Sequence, residues 1–414
     1  MRSDVTNTST SETDVSQHVP PTPPTESFGQ ATMSRLRRGD IGQLPAILML
    51  LLIVVVFEIF SGGVFLYPIN LSNLILQEAD VAVIALAAVL TLLLAEIDLS
   101  LAAVAYLCGA VTVILSSYHH WPAALALIAG LVAGLIVGLV NGVLVAVLRI
   151  PSFIVTLAGY IFYSGLLAQI EYPNTTITLF DPALKGIMSN YVIFPWDVLS
   201  PIPIIAIYLG VMLFDRRRRE RAGLRVDPMW AVWLKLGVVV VLVAGSLVIF
   251  ESALGVPYAI YIVFGVLIVS WLVLRYTTFG RHVYAVGGNP EAARRAGINV
   301  TLIRISVFGL GSMLAGLGGI MVVSRTTSAP TAVDPRLLLL AIAVAVIGGV
   351  SLFGGRGSVW GVVLGVLIIG CLENGLTLFA SASAAFEQML EGAVLMAAVI
   401  LDALTRRRNA VSGR

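Results

Sequence analysis

Polar side chains set inside apolar text are where this chain could do chemistry. Glu96, Asp98 and Ser100 close one apolar run as EIDLS, and Asn141, Ser152, Thr156, Gln169, Glu373, Asn374, Gln388 and Glu391 interrupt others. In hydrocarbon a carboxylate is costly and marks a solute or proton path by default, whereas hydroxyls and amides also serve as glue between helices. A neutral polyol needs amide, hydroxyl and carboxylate partners together with an aromatic face, which Trp360 or Tyr160 could supply. The candidate solute path is therefore Glu96, Asp98, Ser100, Asn141, Ser152, Thr156, Trp360, Glu373 and Asn374. Asp98 and Ser100 have a second reading, as a helix cap in an interfacial loop.

A different kind of site lies at residues 284–297, YAVGGNPEAARRAG, a polar stretch between two long apolar runs. Asn289-Pro290 opens a turn, Pro290 suits a first helical position, Glu291 favours the positive end of a helix, and Arg294 and Arg295 favour its other end. These residues predict a short helix stopped by Gly297. About two turns of helix are marginal alone in water, so the segment is expected to lean on a partner; a helical loop with basic anchors is the plainer alternative.

The elements that must position these residues are membrane spans. Of 414 residues, 58% are hydrophobic and 12% charged, against about 25% charged in soluble domains. Mean hydropathy is +0.97. Residues 1–40 are rich in Ser, Thr and Pro without apolar periodicity and are expected to form a disordered cytoplasmic tail. The rest, 41–414, reads as one transmembrane domain. The first apolar run, 44–67, is too long for a signal-peptide core and is expected to be retained. Further runs lie at 74–95, 98–116, 122–147, 151–170, 191–214, 231–254, 257–275, 301–323, 336–353, 357–379 and 386–404.

The expected fold is thus an all-α polytopic helical membrane protein of about twelve spans, ten to twelve in range. Broken or re-entrant helices are expected near Glu96–Ser100 and in the glycine-rich stretch 348–358, because unwound backbone at membrane depth must be buried or line a wet cavity. For 354–358 a plain turn between spans is the alternative. Twelve crossings with the N-terminus inside put all 25 basic residues except Lys185, Arg325 and Arg336 on the cytoplasmic side. Both termini are therefore expected in the cytoplasm, with a basic loop at 215–235 and another loop at 276–300.

Several chemistries are excluded or disfavoured. There is no G-x-x-x-x-G-K-[ST], and neither Lys185 nor Lys235 lies in a glycine-rich loop, so the chain does not bind ATP through a P-loop. Cys108 and Cys371 sit alone in apolar runs, and His119-His120 lacks flanking ligands, so neither a metal nor a cofactor is expected. Glycines four apart, as at Gly130, Gly134 and Gly138, or with alanine at Gly311, Ala315 and Gly319, predict close helix packing or self-association.

The chain also resembles a known family, the permease subunits of bacterial ATP-binding-cassette importers for carbohydrates, most closely the xylose type. The resemblance rests on EIDLS at 96–100, IPSFIVTLAG at 150–159, FGRHVYAVGGNPEAARRAGINV at 279–300, GGVSLFGGRGSVWG at 348–361 and LENGL at 372–376. It implies that Gly287, Gly288, Asn289, Pro290, Glu291, Ala292, Ala293 and Gly297 form a cytoplasmic coupling loop that docks on a separate ATP-binding subunit. It further implies a homodimer of permeases, an extracytoplasmic sugar-binding protein, a bacterial cytoplasmic-membrane location and no enzymatic activity in this chain. The region 216–254 looks like the extra pair of spans of the xylose branch. Glu96 departs from the glycine common at that place, and residues 1–40 have no counterpart. The expected function is import of a monosaccharide such as xylose by alternating access. The alternatives are a proton-coupled secondary transporter using Glu96, Asp98 or Glu373, or a relative that carries ribose, galactose or a nucleoside.

Overall fold

A computed structural model describes residues 44–223, 226, 228–378 and a few positions between 385 and 400. The tail 1–40, most of the last expected span at 386–404, Glu391 and the basic C-terminus lie outside the described residues.

The described chain is helical almost throughout. In order it forms α1 (Leu44–Phe60), α2 (Pro68–Gln77), α3 (Ala79–Leu93), α4 (Leu101–Ser117), α5 (Ala123–Ala146) and α6 (Ser152–Glu171). A loop region follows with β1 (Thr176–Thr178), α7 (Pro182–Ser189), β2 (Tyr191–Val192) and α8 (Trp196–Leu199). Then come α9 (Pro201–Arg221), α10 (Met229–Glu251), β3 (Val256–Pro257), α11 (Tyr258–Tyr276), α12 (Thr278–Gly288), α13 (Pro290–Arg295) and α14 (Val300–Thr326). Next are β4 (Ser328–Pro330), α15 (Pro335–Ile347) and α16 (Gly361–Thr377). The strands are short antiparallel clips, β1 with β4 and β2 with β3.

Six of these helices are long and apolar enough to cross a membrane, or seven if α2 and α3, bent by 41° at their junction, count as one span. Shorter apolar helices correspond to α1, α4, α15 and α16. Most helix centres follow the apolar runs of the sequence, but the expected span 191–214 begins with β2 and α8, and the expected basic loop 215–235 is helical over 215–221 and 229–235, because α9 and α10 run on past their apolar text. Thirteen-residue α15 rises only about 20 Å, short of about 30 Å of hydrocarbon, and the chain at 348–360 continues without regular helix.

Burial separates the helices into an inner and an outer set. All fifteen residues of α3 are buried, as expected of a helix apolar on every face that sits at the centre of a bundle. It packs against α14, which also touches α4 and α5. Glycines permit that contact. A Cβ on Gly134 of α5 would stand 2.7 Å from the Ser312 carbonyl of α14, and one on Gly109 of α4 would stand 2.8 Å from that of Gly319. The small-residue stripes are thus used within the chain. By contrast α9 buries none of its residues, and α10 only Ala231, Val232 and Phe250.

Two ion pairs tie α3 to α14 near opposite ends. Arg325 meets the fully buried Asp80 at 2.9 Å, and Arg304 meets Glu96, just past the end of α3, at 3.1 Å. Arg304 and Arg325 are separated by about 31 Å along the helix, close to the hydrocarbon thickness. Each pair therefore sits where charge is cheapest to hold. Removing one partner of a buried pair strands the other, so Arg325→Gln is expected to destabilise the protein by about 3 kcal/mol. That is the low end for such a loss, since the Arg325 side chain is 38% exposed. Thermal unfolding in detergent measures it, and adding Asp80→Asn is expected to recover much of the deficit.

Candidate functional site

Five of the candidate path residues come together where the chain breaks between α3 and α4. The Asp98 carboxylate accepts hydrogen bonds from the Ser100 backbone N–H at 2.9 Å and from its hydroxyl at 2.6 Å, a turn that launches α4. Asn141 on α5 donates to Ser100 Oγ at 3.1 Å. From α6, Ser152 Oγ accepts from Ile97 N at 3.3 Å and Thr156 Oγ1 from Leu99 N at 3.0 Å. Those backbone donors belong to the unwound residues, so the first two turns of α6 supply what a helix would otherwise have supplied. The whole group is buried.

Sequence reasoning missed the next member of this network. The Tyr163 hydroxyl donates to Asn141 Oδ1 at 2.8 Å and is also buried. Asn141 thereby links α4, α5 and α6. Asn141→Leu, which leaves both the Tyr163 and Ser100 hydroxyls short of a partner, is expected to cost about 2 kcal/mol in stability. Comparing thermal midpoints of Asn141→Leu with those of Tyr163→Phe, which removes only one hydroxyl, checks this: the first is expected to fall further.

The remaining path candidates lie in three other places. Glu96 faces Arg304 and lines a cavity of about 510 Å³ together with Arg149, Ser152, Arg294 and Thr301. Trp360 stacks edge-on against Trp271, with ring centroids 6.1 Å apart. Asn374 forms a reciprocal amide pair with Asn70 at 2.8 and 3.1 Å, and Glu373 lies 3.8 Å from Arg336. Glu78 and Asp80, two buried carboxylates inside the apolar run 74–95, were also overlooked. Their signal was plain, since any carboxylate inside such a run is a suspect.

The segment 284–297 holds the expected short helix, α13, and before it the end of another, α12. Thr277 caps α12 by accepting from Gly280 N at 3.2 Å, and α12 runs to Gly288. Asn289 then caps α13, its side-chain oxygen accepting from Glu291 N at 3.1 Å and Ala292 N at 2.9 Å. Gly297 ends the unit at φ +83°, a left-handed conformation that suits glycine. On α13, Ala293 faces inward while Glu291, Ala292, Arg294 and Arg295 are exposed. Glu291 is held by Arg294 at 3.0 Å and Arg295 at 3.6 Å.

Tertiary structure joins this segment to both helix breaks. Gly355 N–H donates to the Leu93 carbonyl, left open at the end of α3, at 2.9 Å. A Cβ on Gly287 would run into that same carbonyl and stand 2.8 Å from Gly355 N. One on Gly354 would stand 2.7 Å from both Ala95 N and the Gly287 carbonyl. Tyr284 completes the contact, its hydroxyl donating to the Gly357 carbonyl at 3.0 Å. Three backbones thus meet with no side chain between them: the end of α3, the end of α12 and the glycine loop before α16. Among the described residues no group of three or more His, Cys, Asp or Glu side chains could hold a metal ion.

Comparison with known proteins agrees with this architecture. Residues 70–399 match the family model for the branched-chain amino acid transport system / permease component. The chain belongs to this permease family. It is 32% identical to the xylose transport system permease protein of Haemophilus influenzae over 88% of this chain and 98% of that one. It is 33% identical to the corresponding Escherichia coli protein over 91% and 95%. The ribose import permease protein of Bacillus subtilis is 31% identical over 88% and 94%. No solved structure gives a significant match. The permease is accordingly a multi-pass membrane protein and a transport component.

Proposed function

We propose that this permease is the membrane subunit of an ATP-binding-cassette importer for a monosaccharide, xylose or a similar pentose, in a bacterial cytoplasmic membrane. The observation that carries this reading is the near full-length similarity to permeases named for xylose and for ribose transport. In this reading two copies of the permease form the pathway, an extracytoplasmic binding protein delivers the sugar, and separate subunits hydrolyse ATP. Both termini lie in the cytoplasm and twelve spans cross the membrane. Gly287–Gly288 and residues 289–297 form the docking loop, and an ATP-driven partner biases the inward and outward states through differential contacts with it.

The solute path runs past the two helix breaks. Glu373 and Asn374 are assigned to it as polar contacts, so Glu373→Ala or Asn374→Ala is expected to lower uptake without releasing the ATP-binding subunit. Unchanged uptake in reconstituted vesicles would reduce them to helix glue. Pairing of Glu96 with Arg304 and of Glu373 with Arg336 ties up two of the three carboxylates that a proton-coupled carrier could use, and Asp98, the third, accepts two hydrogen bonds from Ser100 in the turn before α4.

The decisive experiment reconstitutes the permease with its ATP-binding subunit and binding protein and follows labelled xylose, ribose and galactose. ATP-dependent accumulation of a pentose is expected. Accumulation driven by a proton gradient without ATP would overturn the assignment, and a preference for galactose would overturn the pentose.

A further inference from the structure

A cavity of about 750 Å³ lies between α9, α10 and α11. Its walls are hydrocarbon, from Ile204, Val211, Val239, Val243, Ile260 and Phe264 among others. One end is different: Arg216, Arg219, Lys235 and Arg275 line it together with Asp215. Asp215 lies 3.3 Å from Arg219 and 3.8 Å from Arg275, and Glu220 lies 2.9 Å from Arg216. Among the described residues of this rim, four basic groups thus line the cavity with one carboxylate, Asp215, and Glu220 stands beside Arg216, so cations outnumber carboxylates there.

That combination selects an occupant. Apart from the hydroxyls of Tyr208, Ser246 and Tyr261, these walls offer water no hydrogen-bond partner, and a sugar would lose most of its own. Lipid chains enter without a transfer penalty, because they leave surroundings equally apolar. Along α10 the lining extends from Lys235 to Phe250, about 22 Å of helix, whereas the chains of one leaflet occupy about 15 Å. Room for acyl chains below a cationic rim fits a phosphate head group on a diacyl body.

We propose that this cavity holds an anionic glycerophospholipid, its phosphate at the rim of Arg219 and Arg275 and its chains between α9, α10 and α11. The lipid then supplies the packing that α9 and α10 do not make for themselves. It also borders the second helix break and the helix that leads into α12. Trp271 and Trp360 line the same cavity, and Trp360 closes the second helix break. Arg275 lies three residues before α12, which carries the backbone junction to α3.

The test uses the full-length protein, delipidated in detergent and offered equal amounts of phosphatidylglycerol and phosphatidylcholine, with native mass spectrometry reading what is retained. Phosphatidylglycerol is expected to be favoured about tenfold. The double substitution Arg219→Gln, Arg275→Gln is expected to erase that preference, and Val239→Trp to reduce retention of both lipids by filling the chain site. Val243→Phe replaces Val239→Trp if the latter fails to fold by thermal melting. Equal retention, or a preference that survives the double substitution, would overturn the proposal. Displacement of phosphatidylglycerol by inorganic phosphate alone would overturn it too, as that would mark a simple anion site. Lipid retention is read without transport, so the outcome does not depend on which solute the permease carries.

Discussion

Gly287→Ala is expected to abolish uptake and to destabilise the permease by on the order of 3 kcal/mol, an overpacking cost joined to a lost hydrogen bond. The added methyl group would run into the Leu93 carbonyl and crowd Gly355 N, which donates to that carbonyl at 2.9 Å. Neither obstacle is a flexible side chain, so relief requires one of three backbones to move. Any such movement parts the end of α12 from both helix breaks. The neighbouring Gly288 is the internal control, since a Cβ there meets nothing within 4 Å. Gly288→Ala is expected to leave the thermal midpoint unchanged. Equal midpoints for the two variants would show that the junction tolerates a side chain and refute this account.

Glu291→Lys is expected to abolish uptake by a different route, with the fold intact. Glu291 is 59% exposed, and its partners Arg294 and Arg295 are exposed too. Exposed helix pairs of this kind contribute about 0.3–0.5 kcal/mol each, so charge reversal costs about 1 kcal/mol and leaves a folded protein. What it changes is the surface that α13 presents: one carboxylate among two guanidiniums becomes three cations. If α13 is where an ATP-driven partner docks, that partner is lost. Co-purification of the ATP-binding subunit and vesicle uptake are measured together, and Gly297→Trp adds bulk to the same surface, in open space but at a left-handed backbone position that costs a non-glycine residue about 1–2 kcal/mol. Retained uptake with normal coupling to ATP hydrolysis would place the docking surface elsewhere.

These two variants mark the difference between local and tertiary information. The helix at α13 was legible because its signals are local: Asn289 caps its own next turn, Pro290 begins it and Gly297 ends it. The spans were legible for a similar reason, since hydrocarbon demands about twenty apolar residues per crossing wherever they occur. The breaks at 94–100 and 348–360 announced themselves through polar residues and glycine in apolar text. Asp80 carried a signal of its own, a carboxylate inside an apolar run, but its partner Arg325 lies 245 residues away, so the pair itself could not be read from the sequence.

By itself, the sequence determined a helical membrane protein, the approximate place of most described apolar helices, the capped helix after residue 289 and, through its motifs, the permease family, and it marked 96–100 and 348–358 as places where helices could break. Each of these follows from residues close together in the chain, or from motif text that stands whole. Only the tertiary structure decided what meets what. Asp98, Ser100, Asn141, Ser152 and Thr156 became one buried network with Tyr163, while Glu96, Trp360 and Glu373–Asn374 went to separate partners. It also brought Gly287 against Leu93 and Gly355. The physical reason is that hydropathy places a residue at a depth in the membrane, whereas packing, through glycines that let backbones touch and arginines that find buried carboxylates, chooses its neighbour at that depth.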